Sequence, residues 1–437
     1  MTIVGIDDTD SREDGMCTTY VAARIAERLR AFGEVSRLVL VRLNPAVEHK
    51  TRGNAALAVH TTVSPDRAFE IASEEIEAGA IQADPRTNPG LVVTGNGVIA
   101  RDVASKGDDG SIARIPEAVS EFARSAVVDF RTIDDAISIA EAAGYRVASW
   151  GDGRGRIGAL AAVGARDAFD EWTYERIAYR EPERWGTQRQ VDSASVRAVA
   201  DDAYPAVWDT VDREADELVC VPRTPGPVLF GIRGDSRRAV ERVAARIDAE
   251  PVLTAATFET NQGTDAHLQD GTLGSLRDGR AYCVDGIVDD EPETRRGGHV
   301  FVPITDQAGE RRTPCVAFEP TKRFRDHVRA LRPGDGVTVC GEVSRGTIKL
   351  EKFALRDRTT HERVIPTCPD CGRTMESAGR DQGYRCRDCS KTTVEREQVA
   401  LDRSIQPGWY EVPPRARRHI AKPLVRGGFD APVHPER

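Results

Sequence analysis

Lysine is nearly missing from this chain. Of its 61 cationic residues only seven are Lys, the rest being Arg, and 70 acidic residues leave a formal net charge of -9. Ordinary nucleic-acid binders are basic. An acidic, lysine-poor composition is what a protein carries in concentrated salt, where a hydrated carboxylate shell keeps it soluble. Counterion release drives little binding there, so the charge does not exclude an RNA gripped by shape, stacking and hydrogen bonds. Long apolar runs are missing too: the longest, IGALAAVGA at 157–165, falls well short of the about 18 residues a bilayer span needs. No basic stretch followed by an apolar one opens the chain, so the expectation is a soluble, cytoplasmic protein with no membrane partner. The P-loop pattern GxxxxGK[ST] and the Rossmann glycine fingerprint do not occur, so any nucleotide site is of another kind. An SGGxDS-type loop, expected of a tRNA-modifying ATP pyrophosphatase, is absent as well.

Nine cysteines are present, five scattered and four clustered as Cys368-x-x-Cys371 and, fourteen residues on, Cys386-x-x-Cys389. Two such knuckles bring four thiolates round one tetrahedral zinc, the arrangement of a zinc ribbon. A closed four-thiolate site has no open position, which makes it a scaffold, with RNA docking as a further duty. The mixture reads as metal plus free thiols in a reducing compartment, so no structural disulfide is expected.

At 437 residues the chain has room for roughly three domains or more. TIVGI, VSRLVLVRLN and AALAVHTTV read as strands and 18–32 and 65–79 as helices, which makes an α/β or α+β unit. Further helices near 116–125 and 132–143 and a glycine-rich turn at 151–158 extend this unit to about 190. From 191 to 272, ELVCVP, PVLFGIRG, SRRAVERVAARI and PVLTAATFET run strand, strand, helix, strand, suiting a ferredoxin-like split βαβ sandwich. From 273 to 360 three short β-runs, one helix FRDHVRALR and two more β-runs make the order of an OB-fold β-barrel, with any small barrel capped by a helix as the alternative. The zinc ribbon is assigned to 361–400 and a locally basic tail to 401–437. There Arg415, Arg417, Arg418, Lys422 and Arg426 with Trp409 and Tyr410 read as an RNA contact. The whole is a multidomain α+β protein.

The opening GIDDTDSREDGMCTTY crowds Asp7, Asp8 and Asp10 behind the first strand. At a strand's carboxyl end, where α/β proteins place their sites, Asp7 and Asp8 can converge on magnesium. Thr18 then opens a helix whose terminal amides favour phosphate. An aspartate-rich, salt-adapted loop ahead of a capping Thr explains the same text. Two other segments favour a phosphate site: Lys50 and Arg52 beside Gly53-Asn54 form a cationic loop, and Gly153-Arg154-Gly155 precedes a small-residue helix whose amides could approach an anion. Trp208, Asp209 and Asp212, with Glu259, Asn261, Gln262, Asp265 and His267 further on, could hold a guanidinium or amine cation. A buried Trp with surface acids reads the same way.

GIDDTDS with GMCTTY, NP and KTRGN, GRG with IGALAAVGA, IAYREPER, PVLFGIRG, AFEPTK, MESAGR and GWYEVPP, in this order along nearly the whole chain, resemble the archaeal tRNA(Ile) 2-agmatinylcytidine synthetase family, TiaS. The resemblance implies a kinase-like, ATP-binding N-terminal domain of unusual fold, then a ferredoxin-like domain, an OB-fold and a zinc ribbon. It implies an ATP-dependent ligase that attaches agmatine to carbon two of the wobble cytidine of a minor isoleucine tRNA, switching decoding from AUG to AUA. The family phosphorylates that carbon's oxygen and a threonine matching Thr18, with ATP, magnesium and zinc as cofactors. Agmatine selection by Asp209 and Asp212, with Trp208, is the corresponding expectation in the second unit. The alternative is a non-catalytic single-stranded nucleic-acid binding protein of OB-fold plus zinc-ribbon type, which leaves the aspartates without a role.

Overall fold

The computed structural model describes residues 1–48, 53–95 and 115–437. Nine strands form one continuous sheet. Its first part comprises β1 (Thr2–Asp7), β2 (Val35–Arg42), β3 (Ala55–Thr61), β4 (Gly90–Val93) and β5 (Arg146–Ser149), in the order β5-β4-β1-β3-β2 with every pair antiparallel. Successive residues point to opposite faces. Val4, Ile6, Leu57 and Val59 pack under α1 (Thr18–Leu29) and α2 (Pro65–Gly79). Ile3, Val39, Ala58 and Val92 pack under α3 (Glu117–Val128), α4 (Ile133–Ala142) and α5 (Gly155–Ala168). Both faces are covered, which is why these strands are apolar throughout.

The sheet does not stop at the unit boundary expected near 190. β6 (Thr173–Arg180) lies with β7 (Val207–Trp208), β10 (Val228–Gly234) and β11 (Val252–Thr260), beyond a small hairpin β8 (Val211–Asp212) and β9 (Glu217–Leu218). The order β11-β6-β10-β7 is antiparallel at each step, and α6 (Ser193–Ala203) and α7 (Arg237–Ala244) cover one face. β11 then pairs in parallel with β2, Glu259 opposite Val39 and Thr260 opposite Leu40. This junction welds the two halves into one sheet. ELVCVP, expected as a full strand, contributes only the two residues of β9, because the following prolines cannot donate to a ladder.

After β12 (Leu268–Asp270) comes a closed five-stranded barrel. β13 (Ala281–Val288) pairs with β15 (Val300–Thr305), which also takes the short β14 (Glu293–Thr294), and β15 pairs with β16 (Arg312–Ala317). β16 lies parallel to β18 (Thr347–Asp357), β18 pairs with β17 (Gly336–Ser344), and β17 closes on β13. α8 (Phe324–Arg329) sits between the third and fourth barrel strands, the strand and helix order expected from the sequence.

Two expectations are corrected. Cys283 and Cys340 stand directly opposite on β13 and β17 and form a disulfide: sequence spacing does not reveal cross-strand register, which here sets two thiols side by side. The residues after 400 are no free basic tail. β24 (Gly408–Glu411) joins the barrel beside β18 and β25 (Val433–His434) pairs with it, after a zinc ribbon built from β19 (His361–Val364), β20 (Glu376–Ser377), β21 (Tyr384–Arg385), β22 (Thr392–Thr393) and β23 (Glu397–Ala400). Trp409 and Tyr410 are buried. The cations that read as an RNA contact are taken by the chain's own acids: Arg415 by Glu217, Arg417 by Asp209 and Glu411, Arg418 by Glu342 and Glu351, Lys422 by Glu171, and Arg426 by Asp235 and Glu171. The segment is a strap that fastens the barrel to the large sheet. No helix among the described residues is long and apolar enough to cross a membrane.

Candidate active site

At the carboxyl end of β1 the chain turns sharply, with Asp8 in the left-handed region at φ 59°. Asp8 N–H donates to Asp7 Oδ1 at 2.8 Å, and the Asp8 carboxylate accepts from Asn88 N–H at 3.0 Å. Asn88 also fixes the opposite bank of the site. Its carbonyl accepts from Gly155 N–H at 3.0 Å and its Oδ1 from Asp152 N–H at 2.9 Å, so one loop residue aligns the aspartates with the start of α5. The small residues of that helix let it ride directly on the strands. A Cβ on Gly155 would stand 2.4 Å from Gly90 N and 2.6 Å from Asn88 O, and one on Gly158 would stand 1.9 Å from Asp7 Oδ2. The close approach inferred for this glycine-rich segment is real, and what it approaches is the Asp7 carboxylate. Thr18, the first residue of α1, is buried; its hydroxyl lies 3.1 Å from Thr9 Oγ1.

Crowding and burial raise the proton affinity of these acids. Asp7 is pushed well above the usual carboxylate range, first by desolvation and then by Asp8. Desolvation lifts Asp8 to about 7, opposed chiefly by the Asn88 hydrogen bond. Adjacent buried carboxylates that resist ionising are the environment a divalent cation stabilises, so the donor set fits magnesium.

These residues form one wall of a cavity of about 600 Å³ at the junction between the sheet's halves, a volume suited to a small-molecule site. Asp7, Asp8, Asp10, Thr18, Gly53, Asn54, Arg154 and Gly155 all line it; Gly153 lies in the turn just before Arg154. Lys50 and Arg52 lie outside the described residues. Across the junction the cavity is lined by Arg42, Glu175, Arg189, Cys220 and Arg233, with His419 from the strap. None of these was singled out from the sequence as a site residue, because segments far apart along the chain supply them. Asn261 exchanges hydrogen bonds with the backbone of Arg42 at 2.7 and 3.0 Å, and Gln262 bridges Arg42 Nη2 to Glu175 at 3.4 and 2.5 Å. His419 is exposed, but to the cavity, with protein packed around it. Desolvation by those walls, then the charges of Arg42 and Arg233, hold its imidazole well below the ordinary range and therefore neutral.

Trp208, Asp209 and Asp212 are not on this cavity, which corrects the cation site expected there. All three are buried. Trp208 Nε1 donates to Asp235 at 3.2 Å, Asp209 is neutralised by Arg417, and Asp212 meets Arg323 at 3.1 Å. Once the protein's own guanidinium fills such a site, none is left for a ligand. Asp265 and His267 are likewise committed to the barrel, through Lys352 and Glu351 at 2.7 and 2.9 Å, while Glu259 meets Arg37 at 3.8 Å.

In the ribbon the four cysteine sulfurs lie within 4.8 Å of one another, Cys371 and Cys386 at 3.6 Å. Tetrahedral zinc with Zn–S bonds near 2.3 Å sets its sulfurs about 3.8 Å apart, so Cys368, Cys371, Cys386 and Cys389 fit that metal.

Family models described as the TiaS TCKD domain, the TiaS FLD domain and the TiaS C-terminal zinc ribbon domain match residues 3–152, 153–267 and 365–405. The first two meet at 152, ahead of α5 and β6, rather than at 190. The 2-agmatinylcytidine synthetase TiaS of Haloquadratum walsbyi, named for a minor isoleucine tRNA, is 53% identical, with both chains covered in full. A solved complex of TiaS with its isoleucine tRNA and ATP is 39% identical with TM-score 0.85, covering 100% of this chain and 99% of that one. A second complex, of TiaS with the same tRNA, AMPCPP and agmatine, is 37% identical with TM-score 0.83, at the same coverage.

Proposed function

The chain belongs to the TiaS family, and on that premise we propose that it is an ATP-dependent ligase that attaches agmatine to carbon two of the wobble cytidine of a minor isoleucine tRNA. ATP, zinc, agmatine and the tRNA are its cofactors and partners, in keeping with the complexes solved for its relatives. The observation that carries the reading to this chain's residues is the cavity wall where Asp7, Asp8, Thr18, Arg154 and Gly155 meet. The strand order fourth-first-third-second in β11-β6-β10-β7 supports a ferredoxin-like domain that begins near β6. We read the sheet before it as the kinase-like part.

The oxygen on carbon two of cytosine is a very poor leaving group. Transfer of phosphate to it converts one inaccessible displacement into two feasible steps, with agmatine's amine forming the new C–N bond as phosphate departs. Phosphoryl transfer depends on positioning and charge neutralisation. Asp7 and Asp8 would hold magnesium, which supplies that neutralisation when bound. Arg154 and the Gly155 amide stand where a phosphate oxygen could be received, and Thr18 presents a second hydroxyl acceptor. Lys50 and Arg52 belong to the same reading as phosphate clamps. The wobble base must leave its stack to enter the cavity, as single-stranded loops permit.

Release of AMP from ATP tests the reading: it is expected only when transcript and agmatine are both present. A protein that binds the transcript but releases no AMP would instead be the non-catalytic binder, a reading the full-length match to synthetases does not favour.

A further inference from the structure

Phe130 is the one Phe, Tyr or Trp among the described residues that line the cavity, and it is 50% exposed. It stands on the short loop between α3 and α4, which is held tightly on both sides. Asp129 N–H donates to Ser125 O at 2.8 Å and the Asp129 carboxylate pairs with Arg280, while Thr132 and Asp135 form a reciprocal capping box at the start of α4. A loop so fixed could have carried a polar residue at its tip, where a large apolar ring gains nothing from facing solvent.

The ring is also seated. Gly279, at φ 80°, leaves the space that Phe130 occupies: a Cβ there would stand 2.1 Å from Phe130 Cε2. Gly279 is fixed in turn, its N–H donating to Val343 O at 2.9 Å and its carbonyl accepting from Asn44 Nδ2 at 2.9 Å. Gly279 lies two residues ahead of β13, so this notch belongs to the contact between the barrel and the large sheet. The result is a rigid aromatic ring at the mouth of the cavity, backed by the barrel.

We propose that Phe130 is a stacking platform for an unstacked anticodon-loop base entering the cavity. The proposal rests on the functional reading above and adds a residue to it. Every nucleobase has a π-face, and single-stranded RNA is held by aromatic rings in this way. Adenine of ATP could use the same ring. The barrel-side seat favours the RNA, because the aspartates and the start of α5 that would receive phosphates belong to a different wall.

The test uses the full chain with zinc bound, comparing Phe130→Ala and Phe130→Trp with the unsubstituted protein. Phe130→Ala should raise the KM for transcript on the order of tenfold, the loss of one base stack, leaving the KM for ATP and the melting temperature unchanged. Phe130→Trp should restore the transcript KM. Its added fluorescence, relative to the unsubstituted protein, should be quenched by an anticodon stem-loop and not by ATP. A transcript KM for Phe130→Ala within twofold of the original overturns the proposal, as does a rise confined to the KM for ATP. Stem-loop affinity, read by anisotropy, decides the stacking claim separately from catalysis; an unsubstituted protein that released no AMP would fail the functional reading instead.

Discussion

Gly158→Ala is the most discriminating single substitution at the aspartates. Its Cβ would stand 1.9 Å from Asp7 Oδ2 and 2.5 Å from Asp7 Cγ, where ordinary contact begins at 3.4 Å. Neither neighbour yields easily. β1 is held by ladders to β3 and β4, and α5 is pressed onto the same strand at Gly5, where a Cβ would lie 2.1 Å from Ala159 O. The overlap is therefore relieved mainly by swinging the Asp7 carboxylate aside. Overpacking of this kind costs about 1–3 kcal/mol, and replacing a mid-helix Gly by Ala returns about 1 kcal/mol. Net destabilisation should stay below about 2 kcal/mol, a few degrees of melting temperature at most. Displacing a reacting group by an ångström costs about 100-fold in rate, so AMP release should fall on that scale in a protein that still melts cooperatively. Steady-state AMP release and thermal unfolding at high salt measure the two effects. Activity within threefold of the original would refute the idea that the position of Asp7 matters.

Magnesium affinity should rise between pH 6 and 8, because Asp8 holds its proton to about 7 and cation and proton compete for the same oxygens; calorimetry in two buffers of different ionisation enthalpy would detect the released proton. An affinity flat over that range would refute it. The linked stability has the opposite sign to that of a salt-bridged acid. The folded chain retains a proton that the unfolded chain loses above about pH 4, so without a cation this group's contribution falls as pH rises from about 4 to 7. Arg417→Met leaves Asp209 and Glu411 buried without their common partner and should cost about 3–5 kcal/mol in urea unfolding. Adding Asp209→Asn should recover part of that, and a loss under about 1 kcal/mol would mean that the strap is not held there.

Much of the site was legible because its signals are local. Asp7, Asp8 and Asp10 follow a strand within a few residues, Gly155 and Gly158 sit on a small-residue helix, and paired CxxC knuckles need only short hairpins to converge. Arg42, Glu175, Arg233 and His419 were not legible, since only the pairing of β2 with β11 and the path of the strap bring them to one cavity. The misassigned cation site and RNA tail share one cause. Asp209 and Arg417 were read separately as an acid awaiting a ligand and a base awaiting a phosphate, and across 208 residues they are each other's partner.

By itself the amino-acid sequence determined the strand and helix periods, the barrel's element order, the metal knuckles and the acids behind the first strand, because these depend on neighbours along the chain. Only the tertiary structure decided which charges remain for a ligand. Ion pairing and burial depend on distance in space, and a charged side chain has no period by which sequence could reveal its partner.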